Sequence, residues 1–351
     1  MQNPAGKIQW ERLIAESVVS AAALANRLPV SEAAVDEVIR QYPMRINPYV
    51  LSLIESAEGP VARQFIPDRR ELEDTHIAEN DPLAENRQSP VPHLVHRYPD
   101  RVLFLISNQC AVYCRHCMRK RAVGPGDIIT EKHIERGIDY IAATPAVKEV
   151  LLSGGDPLLV SDSRLADILE RLHRIDHVSV IRIHTRVPGV LPARITSALI
   201  DVLRRFQPVY VNIQFNHPDE ITAAAQNACA MLADAGIALG SQTVLLKGVN
   251  DDPAVMIELM RSLLAARVRP YYLHHPDPVK ATAHFRVPVE KGLAILKALR
   301  GHISGMGVPH YVIDLPEGGG KVPLLPDYVR NTDKTSLTVE NFEGKSYIYP
   351  L

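Results

Sequence analysis

From residue 101 onward, short apolar runs rich in branched side chains alternate with stretches whose apolar residues recur every three or four positions. The apolar runs are RVLFLIS (101–107), EVLLSG (149–154), SVIRIHT (179–185), VYVNIQF (209–215), LGSQTVLL (239–246) and VRPYYLHH (268–275). Near-continuous apolarity over so few residues marks strands buried on both faces, as in parallel sheets. Between them, EKHIERGIDYIAATP sets Ile134, Ile138 and Ile141 on one helical face. ITAAAQNACAMLADAG ends on Gly236, a residue suited to the left-handed position after a helix, and PVEKGLAILKALRGH repeats the helical pattern. Six β/α units joined in this way predict parallel pairing with right-handed crossovers.

Six units make either an open doubly wound sheet or an incomplete barrel. No Gly-x-Gly-x-x-Gly follows the first run, which disfavours a dinucleotide fold. In a barrel the chemistry gathers at the C-terminal ends of the strands, and there fall Cys110, Gly154–Asp156, Arg186 and Asp277. The expected fold is α/β: an incomplete (β/α)6 TIM-type barrel with an N-terminal helical region and a C-terminal extension. Residues 1–96 form the helical and wrapping segment, 97–308 the partial barrel, and 309–351 a strand, a lysine loop and a tail. Within the first, residues 1–58 read as helices, with Ser31 capping SEAAVDEVIRQYP and Val35, Val38 and Ile39 at helical spacing. Residues 59–96, rich in Pro, Asp, Glu and Arg, read as an ordered wrapping loop. HYVID (310–314) is a further strand, followed by a glycine run and a loop-rich tail.

Composition narrows the function classes. With 351 residues, 46% hydrophobic and 23% charged, the chain is long enough for an ordinary core. A net charge of −1 points away from nucleic acid and anionic membranes as bulk partners. No apolar run reaches the roughly 18–20 residues of a membrane helix, and the N-terminus lacks a basic leader, so a cytoplasmic protein is expected. Four cysteines are too few for a disulfide scaffold, and three of them, Cys110, Cys114 and Cys117, lie within eight residues. Such clusters bind metal or do redox chemistry. Three thiolates fall one short of a closed zinc site. They suit an iron–sulfur cubane with one iron left open to a ligand, or a zinc site completed by His116 or Cys229. Cys229, on the apolar face of its helix, also reads as a small buried residue.

Several other segments carry candidate chemistry with an ordinary alternative. In LLSGGDPLL, two glycines allow close backbone approach to a ligand and Asp156 can accept from an ammonium; the same pattern is a βα turn with an Asp cap. EGGGKVP offers a flexible glycine run that lets Lys321 reach a carbonyl cofactor, or an exposed turn lysine. Arg97 and Arg101, by spacing alone, form a solvated pair. Asp277 and Asp314, taken alone, read as a loop acid and a strand-end cap.

Cys110-x3-Cys114-Arg115-His116-Cys117 resembles the radical S-adenosylmethionine (SAM) signature. Together with RYPDRVLFLIS, YCRHCMRKR, LLSGGDPLL, FNHPDEIT, VRPYY and GGGK, it resembles the lysine 2,3-aminomutase family from about residue 44 to about residue 330. The resemblance implies an isomerase that moves an amino group between neighbouring carbons of an amino acid. It implies a [4Fe–4S] cluster on Cys110, Cys114 and Cys117, with SAM on the open iron and near Ser153, Gly154, Gly155, Asp156 and Gln242. It implies pyridoxal 5′-phosphate (PLP) on Lys321, with Arg97, Tyr98 and Arg101 at its phosphate and Arg186 at its ring. Arg119 is then the partner of the substrate carboxylate. Asp277 and Asp314 grip the terminal ammonium, which favours free L-lysine. An electron donor such as flavodoxin or ferredoxin is expected, and so is a homo-oligomer, without the zinc of longer members because Asp252 stands where they carry a cysteine. Gln214 stands where some members have His, and His274 and His275 depart from the usual segment. Arginine, glutamate, a lysyl side chain on elongation factor P, and non-catalytic electron transfer are the competing functions.

Overall fold

The computed structural model describes residues 9–73, 78–124 and 128–351; the opening residues 1–8 of the expected first helix lie outside them. Nine strands form one curled sheet in sequence order: β1 (Leu94–Tyr98), β2 (Arg101–Ser107), β3 (Glu149–Gly154), β4 (Val180–Thr185), β5 (Val209–Ile213), β6 (Ala238–Val244), β7 (Arg269–His274), β8 (His310–Leu315) and β9 (Gly320–Pro323). Strands β2 to β8 are all parallel, and β1 and β9 cover the two edges antiparallel. The six predicted strands and HYVID are all present, each followed or preceded by a helix that buries one apolar stripe. Ile134, Gly137, Ile138 and Ile141 of the helix Glu131–Ala142 are buried, as are Leu165, Ile168, Leu169 and Leu172 of Asp162–His173. The packing is close enough that a Cβ on Gly137 would lie 2.4 Å from the Phe104 ring. Gly236 takes φ +83° just after the helix Ala223–Asp234, the left-handed ending its identity suggested.

The sheet nearly closes on itself. Its first and last strands are joined by a side chain: the Lys321 amide of β9 donates to the Tyr98 hydroxyl of β1 at 2.8 Å. Both edge strands escape a search for long apolar runs, because β1 carries His96 and Arg97, and β9 is a short piece of the glycine run. The sheet therefore begins before residue 97 and ends after residue 308, across both boundaries drawn from sequence.

The N-terminal segment is helical where expected. Ser31 accepts from the Ala34 amide to cap Glu32–Ile39, and Asn47 caps Pro48–Ser52. These helices make a second apolar core in which Leu24, Val35, Ile46 and Phe65 pack against Ala111 and Val112, two residues lying between the first two clustered cysteines. A buried ion pair joins the same partners. Arg115 donates to both oxygens of Glu71 at 2.8 and 2.6 Å, and Lys120 adds a third bond at 2.8 Å. These charges hold the Glu71 carboxyl below its usual range despite its burial. Removing one member of such a pair costs about 3–5 kcal/mol, because the other is left buried and uncompensated.

The tail corrects the loop-rich expectation. It holds a separate antiparallel sheet of β10 (Val329–Thr332), β11 (Ser336–Glu340) and β12 (Ser346–Pro350). Its strands are short, the outer two exposed and the middle one half-buried, so no buried face imprints a strong pattern on the sequence. Among the described residues no helix is long and apolar enough to cross a membrane.

Candidate active site

Strand β2 delivers the chain into the thiol loop. The loop is closed by a reciprocal pair of bonds: the Gly124 amide donates to the Asn108 carbonyl, and the Asn108 side chain donates to the Gly124 carbonyl, each at 3.0 Å. Arg45 and Asn47, from the connection that leads into the helix Pro48–Ser52, donate to the Cys110 and Ala111 carbonyls at 3.2 and 3.3 Å. Cys110, Cys114 and Cys117 are free thiols. Burial, and then the neighbouring thiols, push Cys110 well up and Cys117 up. Among the described residues no three His, Cys, Asp or Glu side chains converge on a single-ion position.

The Ser153–Asp156 turn sits directly beneath this loop. Gly154 has φ +130°, and a Cβ there would lie 2.0 Å from the Ser107 carbonyl oxygen; one on Gly155 would lie 2.4 Å from that of Gln109. The Gly155 and Asp156 amides donate to those two carbonyls at 2.6 and 2.7 Å. The glycines thus let two backbones touch, which fixes the thiol loop over the end of β3. Asp156 accepts from the Thr185 hydroxyl at 2.8 and 2.9 Å, from the Arg186 amide at 2.8 Å and from the Leu158 amide at 3.0 Å. Both the cap and a second job are present, since the carboxylate ties β3 to the end of β4. Burial raises its pKa to about 6 against the pull of these donors.

Arg186, read from sequence as a partner of the pyridoxal ring, lies instead with the thiols. Its Nη1 donates to Cys114 Sγ at 2.8 Å, and its Nη2 donates to Glu220 at 2.8 Å and to Gln64. The physical reason is charge: a buried guanidinium needs a carboxylate, and Glu220 is buried beside it. Gln214, whose role was open, donates to His116 Nε2 at 3.1 Å, as does Asn216 at 3.3 Å. Burial and the nearby Arg186 push His116 well below the usual imidazole range, and Cys229 lies in the main apolar core.

Across the sheet, β8 and β9 form a hairpin through the turn Pro316–Gly319. Gly318 and Gly320 have φ +83° and +87°, and Asp314 and Lys321 are register partners. The glycine run is therefore a tight turn rather than a flexible arm. A Cβ on Gly318 would strike the Gln88 side chain at 2.0 Å. Lys321 Nζ donates to the two Asp314 oxygens at 2.9 and 2.8 Å. Arg97 Nη1 lies 3.5 Å from Asp314, while its Nε and Nη2 donate to Gln88 and the Leu83 carbonyl at 2.9 and 3.2 Å. Arg101 stacks on the Tyr98 ring at 3.8 Å. His274 Nδ1 is 4.0 Å from Asp314, while His275 donates to or accepts from the Tyr311 hydroxyl at 2.8 Å.

Arg119 is held by a residue the sequence analysis missed. Glu85 accepts from its fork at 3.1 and 2.7 Å, and from Arg121 at 3.4 Å. Glu85 comes from the wrapping segment, where no periodicity or motif marks it. Asp277 is the opposite case: among the described residues no hydrogen bond or ion pair holds its carboxyl. Burial first, and Asp314 second, push it up to about 7.

A single cavity of about 1110 Å³ unites these groups. It is lined by the thiols Cys110, Cys114 and Cys117, the Ser153–Asp156 turn, Arg186 and Gln242, and by Arg97, Tyr98, Arg101, Arg119, Asp277, Asp314 and Lys321; Cys229 and Asp252 lie outside it. Its charges fall in two groups, with Arg97, Arg119 and Lys321 facing Glu85, Asp277 and Asp314 at one side, and Arg186 and Asp156 beside the thiols at the other. Replacing Gly154 by Ala should drive the turn away from the thiol loop. The iron bound per chain after anaerobic reconstitution should fall at least several-fold while the far-ultraviolet spectrum stays native. Unchanged iron content would show that this contact does not hold the loop.

Residues 104–260 match the Radical SAM superfamily and residues 296–351 match the lysine-2,3-aminomutase family. An L-lysine 2,3-aminomutase of Fusobacterium nucleatum is 46% identical over 341 residues, covering 95% of this chain and 80% of that protein. One of Acetoanaerobium sticklandii is 49% identical over 319 residues, covering 90% and 77%. A glutamate 2,3-aminomutase of Clostridioides difficile is 42% identical over 314 residues, covering 89% and 74%. Identity at this level over nearly the whole chain, on a fold whose thiol loop and turn meet as described, places the chain in the lysine 2,3-aminomutase family of radical SAM isomerases.

Proposed function

We propose that this chain interconverts free L-lysine and β-lysine, using PLP on Lys321 beside the cluster and SAM of its family. The observation that carries the choice of substrate is the pair Asp277 and Asp314 in the cavity that also contains Arg119 and Lys321. A terminal ammonium relieves the cost of two buried acids; a second carboxylate aggravates it, with Glu85 already present.

The residues fit the groups they would hold. Three free thiols on one loop suit a cluster with one open iron. Lys321 lies beside Tyr98 and the stacked Arg101, whose remaining donors suit a phosphate. When bound, the cluster supplies the electron that cleaves SAM to the hydrogen-abstracting fragment, and PLP supplies the carrier for the migrating nitrogen. The chain contributes orientation. Arg119, pre-set by Glu85, receives the substrate carboxylate, while Asp277 and Asp314 fix the far end, so that the β-carbon is held between the thiol side and the lysine side. Gln242, Ser153 and the Gly154–Gly155 backbone are assigned to SAM. The buried walls keep water from a reactive intermediate.

Anaerobic reconstitution with dithionite, SAM and PLP, followed by separate incubation with lysine, arginine and glutamate, tests the proposal. Chromatography with mass spectrometry should find β-lysine and no β-glutamate. β-Arginine in place of β-lysine would reassign the pocket. The Michaelis constant for lysine should also depend on pH. Asp277 faces Asp314, Lys321, Arg119 and Glu85, and with its pKa at about 7 it is protonated below that value and unable to pair with an ammonium. The constant should therefore fall as pH rises from about 6 to about 8, and Asp277→Asn should flatten the profile. An identical profile in that variant would remove Asp277 from the ammonium site.

A further inference from the structure

The three clustered thiols are not equivalent. Cys114 accepts a hydrogen bond from Arg186 Nη1 at 2.8 Å, and among the described residues no other side chain donates to any of the three sulfurs. Arg186 is anchored by contacts that involve no cofactor. Its amide donates to Asp156 at 2.8 Å, its Nη2 donates to Glu220 at 2.8 Å and to Gln64, and its guanidinium carbon lies 4.6 Å from the centre of the Phe65 ring. Glu220 is fixed in turn. Its other oxygen accepts from Gln64 Nε2 at 2.9 Å and from the Asn216 and His217 amides at 3.1 and 2.9 Å. The Arg186 and Glu220 side chains are 7% and 1% exposed. A positive and a negative charge thus stand in series behind one thiol, in an interior where charges are screened least.

We propose that Arg186 and Glu220 set the reduction potential of the iron–sulfur cluster in opposite senses, acting through Cys114. The inference rests on the cluster of the family being held by the three thiols, and not on the choice of substrate. A thiolate bound to iron keeps lone pairs that accept hydrogen bonds, and such bonds to cluster sulfurs are a lever on the potential. One electron from a low-potential donor adds negative charge, part of which falls on the thiolate sulfurs. The bond from Arg186 to Cys114 strengthens as that charge grows, so Arg186 favours the reduced form. Glu220, bound to the same guanidinium, offsets part of its positive charge and favours the oxidised form. Gln64 carries no charge; it bonds both members and keeps the pair aligned, so the N-terminal segment takes part in the tuning.

The test is an anaerobic redox titration of the enzyme loaded with cluster and PLP but without SAM, followed by the electron paramagnetic resonance of the reduced cluster. The wild type is compared with Arg186→Gln and Glu220→Gln, and iron per chain with the visible cluster absorbance confirms loading. Arg186→Gln should lower the ratio of reduced to oxidised cluster at a given potential about tenfold, which for one electron is a shift of about 59 mV to more negative values. Glu220→Gln should move the potential upward on the same scale. Opposite signs separate charge from damage, because a loosened loop would lower the iron content and move both variants the same way. The proposal is overturned if either loaded variant keeps the wild-type potential or moves against its predicted sign. If Arg186→Gln holds no cluster, Glu220→Gln decides alone, and an unchanged or lower potential there overturns it. A wild-type protein that takes up no iron overturns the cluster on these thiols as well.

Discussion

The hydrogen bond from the Lys321 amide to the Tyr98 hydroxyl, 2.8 Å long, joins the two edges of a nine-stranded sheet that does not close by backbone pairing. Seven parallel strands curl far enough to enclose a cavity but leave a seam between β1 and β9. The seam is sewn by side chains. Tyr98 meets Lys321, Arg97 approaches Asp314, and Gln88 packs against Gly318. Every group assigned to PLP or to the substrate ammonium, apart from Asp277, therefore lies at the seam. The left-handed glycines at 318 and 320 turn the chain sharply enough to bring β9 back alongside β8.

The second constraint is that buried charges need partners. The barrel contributes Arg115, Arg119, Lys120 and Arg186, all deeply placed, and the N-terminal segment answers with Glu71, Glu85 and Gln64. The wrapping segment is thus part of the site: its Glu71 and Glu85 pair with Arg115, Lys120 and Arg119 around the thiols, and Glu85 fixes the Arg119 fork in the cavity wall. Each such pair gains little beyond its desolvation cost, but losing one member leaves a bare charge in a dry interior. Geometry at the thiols is consequently tied to residues more than thirty positions away in sequence.

Legibility from sequence followed burial. The seven parallel strands were readable because one face is buried under the helices and the other, half-buried toward the cavity, still carries apolar residues such as Leu103 and Leu151. The helices were readable because one stripe is buried. The thiol loop was readable because its spacing has few other uses. Strands with a polar or exposed face, β1, β9 and the three of the tail, left no comparable trace. Glu85, Gln64 and Glu220 were invisible for a related reason: a lone acid or amide has no periodicity, and only the fold shows which cation it meets. GGGK was read as flexible, although the ladder shows the glycines serving a tight turn. The contacts of Arg186 with Cys114 and Glu220 were not legible, because its position after β4 specifies an end of the barrel but not the partner across it.

The central claim is that one cavity brings the thiol side and the lysine side together at a single carbon of the substrate. Turnover of L-lysine deuterated at the β-carbon, followed by mass spectrometry of the recovered SAM, measures this directly. Deuterium on the 5′-carbon of SAM, accumulating with β-lysine, is the predicted result. β-Lysine formed without any transfer of deuterium to SAM would contradict it, for the two sides of the cavity would then not share a reacting atom.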